Sequence, residues 1–365
     1  MIIKERKSEM KSAAKQALTY CKKSFRDFRL DIHYKRELAN LEKHSEEKIE
    51  NLSIEEYREI EEYFRSHGFP RIDTRWHRYL YSVTGRMEKK YIPENFYHLT
   101  IEPLFTRGDP AWEDKAYMHR FLPEVVFPQT IVKRVNGYYL NDRDEIISFD
   151  EAKKLVCQNE TVIIKPSRNT GGGRGVSAIG GSVFDQKTTD SYGKNFVVQK
   201  KIDQQKTLSQ FNSSSVNTEK IISFLYKGEV FILTSILRVG EPGAVTDTAS
   251  TGKGYTIGIQ NNGQLNTVGY NIFGHKFTED TVGRKFSDIC LDAHKEICAI
   301  IKKAHKTMPY FGLISWDFAV DSKGQPILIE YNLNYPDILI YQMNNGPLFG
   351  ANSDEWLRDI SKMKN

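Results

Sequence analysis

Two carboxylates interrupt an otherwise apolar stretch near the end of the chain. In GLISWDFAVDSKGQPILIEYNLN, residues 312–334, the runs 314–320 and 326–331 read as strands around the polar turn Asp321-Ser322-Lys323-Gly324. Asp317 lies in the first run and Glu330 in the second. Closed symmetrically about Lys323 and Gly324, the hairpin sets Asp317 opposite Glu330, with Cβ atoms about 5 Å apart. Asn332, two residues on, shares that face. Like charges this close repel unless a cation intervenes. An all-oxygen set of two carboxylates and an amide suits Mg2+, which takes one or two carboxylates together with substrate phosphates. The plainer alternatives are a solvent-facing hairpin or a carboxylate bonded to a neighbouring lysine.

A second group of residues has the chemistry of anion binding. TVIIK, residues 161–165, is a buried β-run that ends in Lys165. NTGGGRGV, residues 169–176, follows, and then the β-like run VSAIGG. Glycines here let backbone N–H groups approach an anion closely. A Walker A loop needs GK[ST] opening a helix, and a dinucleotide fingerprint needs a following helix; neither is present. A protein kinase carries its lysine after the loop, whereas Lys165 precedes it, and no HRD segment occurs. Arg238 ends a long apolar strand, which is unfavourable unless it meets an anion or solvent.

The elements that must position these residues follow from periodicity and turn chemistry. Residues 130–134 and 138–140 form a hairpin over Asn136-Gly137, and residues 217–226 and 229–238 another across Lys227-Gly228. Capping boxes at Ser53–Glu56 and Ser148–Glu151 open helices, the second running to Cys157. Residues 73–85 read as a helix ended by Gly85, residues 114–121 as a short helix, and residues 196–202, FVVQKKI, as a strand. Residues 284–306 read as one long helix with an apolar stripe through Phe286, Ile289, Ala293, Ile297 and Ile301. Residues 10–32 repeat Met10, Ala14, Ala17, Cys21, Phe25, Phe28 and Ile32 at helical spacing beside a basic face. That helix is expected to pack on its own domain, with a peripheral membrane surface or a glycosyltransferase partner as the alternatives. His33, His44, His67, His77 and His98 read as isolated packing or surface histidines.

Composition limits the remaining classes. The chain has 365 residues, 39% hydrophobic and 12% aromatic, enough for several cores and against wholesale disorder. Net charge is +5, but residues 1–36 alone hold eleven Lys and Arg against four Asp and Glu. The basicity is local, which excludes a globally basic nucleic-acid binder. Cys21, Cys157, Cys290 and Cys298 form no CxxC pair or zinc spacing, and Cys290 and Cys298 on one helix could not bridge. Reduced thiols, no signal peptide and no membrane span lead to an expected cytoplasmic location.

Taken in order, these features resemble the ATP-grasp superfamily, and more closely its sugar-transfer-associated branch. The segments that carry the likeness are DKAYMHRFLPEVVFPQTI, IIKPSRNTGGGRGV, SSSVNTEKIISF and SWDFAV…ILIEYNLNYPD. The resemblance implies an α+β fold in which two subdomains clasp ATP, here 111–211 with the Gly-rich flap and 212–350 with the metal hairpin. A helical N-terminal region, 1–110, precedes them and a tail, 351–365, follows. Lys115 and Lys165 would contact ATP phosphates, and Gly171, Gly172, Gly173 and Gly175 would close over them. Gln199, Lys200 and Ile202 would meet adenine, with Asp203 or Gln204 near the ribose. Arg238 would hold the γ-phosphate or an acylphosphate, with Lys220 beside it in the catalytic pair. Asp317, Glu330 and Asn332 would ligate Mg2+.

The family pattern places a hydrophobic residue and then Arg where this chain has Glu219 and Lys220, and an Asp-Asn pair where it has Asp247-Thr248. Lys keeps the charge but loses the guanidinium fork. The expected activity is ATP-dependent ligation of a small-molecule carboxylate and an amine through an acylphosphate, on a sugar acid or amino acid for surface polysaccharide. Phosphoryl transfer to a stable phosphoester, or non-catalytic nucleotide binding, are the alternatives.

Overall fold

A computed structural model of the chain describes residues 25–106, 108–168, 170–247, 252–334 and 336–364. Among the described residues, thirteen strands form two antiparallel sheets. They are β1 (Thr130–Val135), β2 (Tyr138–Leu140), β3 (Ile146–Ile147), β4 (Thr161–Pro166), β5 (Ser177–Gly180), β6 (Phe196–Lys200), β7 (Thr218–Tyr226), β8 (Glu229–Val239), β9 (Tyr255–Ile259), β10 (Leu265–Tyr270), β11 (Lys276–Phe277), β12 (Leu313–Val320) and β13 (Pro326–Asn332). The first sheet runs β3-β2-β1-β6-β4-β5 and the second β11-β10-β9-β8-β7-β12-β13.

Local chemistry explains most boundaries. Asn136 and Gly137, at φ 49° and 92°, make the tight β1–β2 turn; Lys227 and Gly228, at 49° and 83°, make that of β7–β8. Both capping boxes form: Ser53 and Ser148 accept from Glu56 and Glu151 N–H, and each glutamate reaches back to its cap. Gly85 ends the helix Arg75–Thr84 in the left-handed conformation.

The second sheet is covered on both faces, so β7 and β12 read as continuous apolar runs. Ile221 and Trp316 pack toward the helix His294–Lys306, whereas Ile222 and Phe224 pack toward N-terminal helices and the helix Ser353–Lys364. Residues 351–365, expected as a tail, therefore include a helix that buries Trp356, Leu357 and Ile360. A further cluster joins Tyr34, Leu38, Leu41, Trp76 and Tyr79 to Tyr270 on β10 and to Leu339 and Met343. Each such large side chain contributes roughly 2–3 kcal/mol of burial, which seats the N-terminal helices beside the second sheet.

Three expectations change. Residues 284–306 are not one helix: a 3₁₀ turn at Phe286–Asp288 precedes the helix His294–Lys306. The backbone of the earlier part is taken by the β9–β10 turn, Leu265 N–H donating to Ile289 O at 3.0 Å and Leu291 N–H to Gly263 O at 2.8 Å. The stripe is buried as expected, but Cys290 lies outside the helix that carries Cys298. Residues 114–117 form a turn, and only Met118–Phe121 is helical. Of the N-terminal stripe, residues 10–24 lie outside the described residues. Phe25 and Phe28 are 64% and 62% exposed, and the packed face of the helix 25–44 belongs to Tyr34, Leu38 and Leu41.

Candidate active site

Asp317 occupies the centre of a row across three strands: Lys220 on β7, Asp317 on β12 and Glu330 on β13. The pairing reaches this row by an unexpected route. Next to the turn the register runs Val320↔Pro326, Ala319↔Ile327 and Phe318↔Leu328. Continued, it would set Asp317 against Ile329. A bulge shifts the register there, and Glu330 pairs with Asp317 instead. Symmetric closure about Lys323 and Gly324 is thus wrong beside the turn and right at the carboxylates. Asp321 builds that turn, its side chain accepting from Lys323 and Gln325 N–H at 2.9 and 2.8 Å.

The repulsion between the carboxylates is relieved by side chains. Lys220 Nζ donates to Asp317 Oδ1 at 2.8 Å, and Lys115 Nζ lies 2.9 Å from Glu330 Oε2. Arg238 donates to Asp247 Oδ1 at 2.8 Å and lies 3.6 Å from Asp317 Oδ2. Burial alone would raise the Glu330 carboxyl; Lys115 and Lys165 outweigh it and hold it at about 2. Burial opposes the Arg238 charge, but Asp247 and Asp317 keep the guanidinium protonated. Lys165 is 5% exposed, and burial lowers its ammonium to about 8 despite Glu330. A cation is therefore present beside each carboxylate without a metal. The donor set still fits Mg2+, because Asp317, Glu330 and Asn332 line one cavity with oxygens only.

The family departure at Glu219-Lys220 has a local explanation. Successive strand residues point to opposite faces. Glu219 is fully buried and accepts from His294 Nδ1 at 2.7 Å on the helix side, while Lys220 faces Asp317. Burial works against the His294 charge, but Cys298 and Glu219 raise it to about 10, so a buried ion pair replaces the expected apolar contact.

Two adjoining cavities share Thr170, Arg174, Arg238, Asp317 and Glu330. The first is also lined by Lys115, Lys165, Gly173, Gln199, Lys200 and Ile202. The second is also lined by Gly171, Gly172, Lys220 and Asn332. Of the residues singled out by sequence, Asp203 lines a neighbouring recess with Ile202 and Gln204, and its carbonyl accepts from Ser322 N–H at 2.7 Å. Gly175 borders neither cavity; at φ 75° it packs on Pro166, 2.9 Å from where a Cβ would stand. The Gln199 amide donates to Thr130 Oγ1 at 3.3 Å and so belongs to the sheet.

Sequence reasoning passed over Glu37, Glu94 and Asp337, which also line the second cavity. It also misjudged His98. That ring is buried, with Nδ1 2.8 Å from Glu102 Oε2 and Nε2 3.3 Å from Glu94 Oε1. Burial opposes its charge, but the two carboxylates raise it to about 10. The signal was present: Glu94, His98 and Glu102 recur every fourth residue, one helical face.

Comparison with known proteins bears on the fold. No curated protein matches the chain significantly by sequence. Among solved structures, biotin carboxylase from Campylobacter jejuni is 13% identical with a TM-score of 0.43, over 68% of this chain and 46% of that one. D-alanyl-alanine synthetase A from Vibrio cholerae is 14% identical with a TM-score of 0.42, over 69% and 66%. An L-amino acid ligase from Bacillus licheniformis is 13% identical with a TM-score of 0.38, over 68% and 48%. The chain thus spans less than half the length of the biotin carboxylase it matches. Among the described residues no helix is long and apolar enough to cross a membrane. With its two antiparallel sheets and packed helices in the expected α+β arrangement, and with a model for "Sugar-transfer associated ATP-grasp" matching residues 109–353, the chain belongs to that ATP-grasp family.

Proposed function

We propose that the protein is an ATP-dependent carboxylate–amine ligase that works through an acylphosphate. The observation that carries this reading is the convergence of Lys115, Lys165, Lys220 and Arg238 on Asp317 and Glu330 at the junction of two cavities under a Gly-rich turn. Four cations against the three carboxylates Asp247, Asp317 and Glu330 leave positive charge for a polyphosphate. A carboxylate is a poor electrophile, because its leaving group would be oxide. Phosphoryl transfer from ATP gives it phosphate as a leaving group, and positioning with charge neutralisation does most of the catalytic work.

In this reading Lys115 and Lys165 hold ATP phosphates, and Gly171, Gly172 and Gly173 cover them while Gly175 fixes the turn. The adenine sits against Gln199, Lys200 and Ile202, with Asp203 toward the ribose. Asp317, Glu330 and Asn332 hold Mg2+, which when bound neutralises phosphate charge. Arg238 and Lys220 face the reacting end, where they offset charge on the transferred phosphoryl group and the acyl oxygen. The amine nitrogen then bonds to the acyl carbon, the carbon–oxygen bond to phosphate breaks, and the amine proton passes to a base. The substrates are a small carboxylate and an amine, the acid a sugar acid or amino acid destined for surface polysaccharide, and the reaction is cytoplasmic.

The test is ADP release by the full chain with MgATP and a panel of sugar acids and amino acids, with and without amines. Hydroxylamine serves as a trap for acylphosphate. Acid-dependent ADP release with hydroxamate formation is expected. Amine-independent turnover to a stable phosphoester would instead make the protein a kinase.

A further inference from the structure

The second cavity ends in three carboxylates, two of which come from outside the region matched by the family model. Glu37 and Glu94 belong to the N-terminal helices, and Asp337 follows β13. Glu94 is 2% exposed, yet its Oε2 has no hydrogen-bond partner. Its Oε1 is fully engaged, accepting from Ile338 N–H at 2.8 Å and from His98 Nε2 at 3.3 Å. A buried carboxylate oxygen left without a partner in a cavity wall is costly unless a ligand supplies a donor. Tyr34 stacks on His98 at 4.8 Å, and Glu102 accepts from the other ring nitrogen, so the Glu94 side chain is held from behind. Reactive atoms of Glu94, His98 and Asp337 lie within 4.8 Å of one another.

We infer that Glu37, Glu94 and Asp337 form the subsite for a substrate ammonium group, so that the amine substrate enters as a cation and is recognised there. The inference rests on the ligase reading and names the class of its second substrate. One imidazolium faces Glu94 and Glu102, and the exposed His33 ring stands 3.8 Å from Glu37; four carboxylates against these two rings leave this end negative, opposite in sign to the lysine and arginine cluster at the other. A substrate carboxylate is repelled from it and an ammonium is attracted. A metal ion fits less well, because both His98 nitrogens already donate to carboxylates and none is left to coordinate. Burial, with Asp337 and Glu94 beside it, moves the Glu37 carboxyl up to about 7, which suits it to take the proton an ammonium must lose before the nitrogen attacks.

The experiment uses the full chain saturated with Mg2+ and a non-hydrolysable ATP analogue. Calorimetry compares ethanolamine with ethylene glycol, and glucosamine with N-acetylglucosamine. The charged member of each pair is expected to bind at least about tenfold tighter, a preference that Glu94→Gln and Asp337→Asn each reduce to about threefold or less. Glu37→Gln, at a half-buried position that leaves the core intact, is expected to reduce it in the same direction. Equal binding of charged and neutral partners by the wild-type chain overturns the subsite, as does a preference that survives all three variants. Tight Mn2+ binding abolished by Glu94→Gln would make the site a metal site and also overturns it. These failures leave analogue binding intact and the ligase reading standing. A wild-type chain that does not bind the analogue overturns both.

Discussion

The two ends of the cleft bury charge in opposite ways. Around Asp317 and Glu330 each carboxylate has a cation within 4 Å, and each cation is shared with the space above it. Around Glu94 and Asp337 the carboxylates outnumber the rings of His98 and His33, and burial moves the Glu94 carboxyl upward. The first end has a cation for every carboxylate and one to spare, and gains most from an anion. The second is crowded with like charge and gains from a cation. Ligand polarity is thereby written into the resting electrostatics of one cavity.

The largest effect should come from the first end. Glu330→Gln is expected to lower ADP release by about a thousandfold, since it would weaken the oxygen set proposed to hold Mg2+ and leaves Lys115 unpaired; turnover within a few-fold of wild type would sink the role given to the hairpin. Stability should separate the two ends next. Asp317→Asn leaves Lys220 and Arg238 facing a neutral group and should cost about 3 kcal/mol in chemical denaturation at pH 7. If it is neutral, the pairing described here does not hold the fold.

A third outcome concerns Lys165, whose ammonium sits near pH 8 rather than 10.5 in the free protein. Below pH 8 the folded state carries the full cost of burying that charge, and the cost fades as pH rises toward 10.5. A bound triphosphate favours the charged form. Nucleotide binding near pH 9 should therefore take up close to about one proton, read by calorimetry in buffers of different ionisation enthalpy; no uptake would place Lys165 away from the phosphates. The smallest effect belongs to Glu37, with its carboxyl raised from 4.5 to about 7. Folded Glu37 holds its proton more tightly than the unfolded chain does, so its contribution to stability is present below pH 4.5 and lost as pH passes 7. Glu37→Gln should stabilise by about 1 kcal/mol at pH 8, after discount for its partial exposure, and by nothing measurable at pH 4.

Much of the first end could be read from sequence because its signals are local. A carboxylate in an apolar strand, a lysine ending a β-run and glycines at a turn each contradict their own surroundings. The crowded end was missed because Glu37, Glu94 and Asp337 are ordinary where they stand in the chain and meet only through the packing of Tyr34, Leu38 and Leu41 on the second sheet. Helical spacing misled where tertiary pairing took the backbone, as at Phe286 and Ile289, and where an apolar residue faces solvent, as at Phe25 and Phe28.

The bulge at Ile329 carries a further consequence. Turns usually tolerate insertion, because their length is free so long as the strands still meet. Here the bulge absorbs one extra residue on β13 and so keeps Glu330 across from Asp317. The backbone conformation at one residue therefore decides which side chain meets Asp317. A regular ladder of the same length would instead set Ile329 against Asp317 and Glu330 against Trp316, turning the Glu330 carboxylate to the opposite face of the sheet. A related chain lacking Ile329 would keep Glu330 opposite Asp317 in a regular ladder, so a gap at this position is compatible with an intact site.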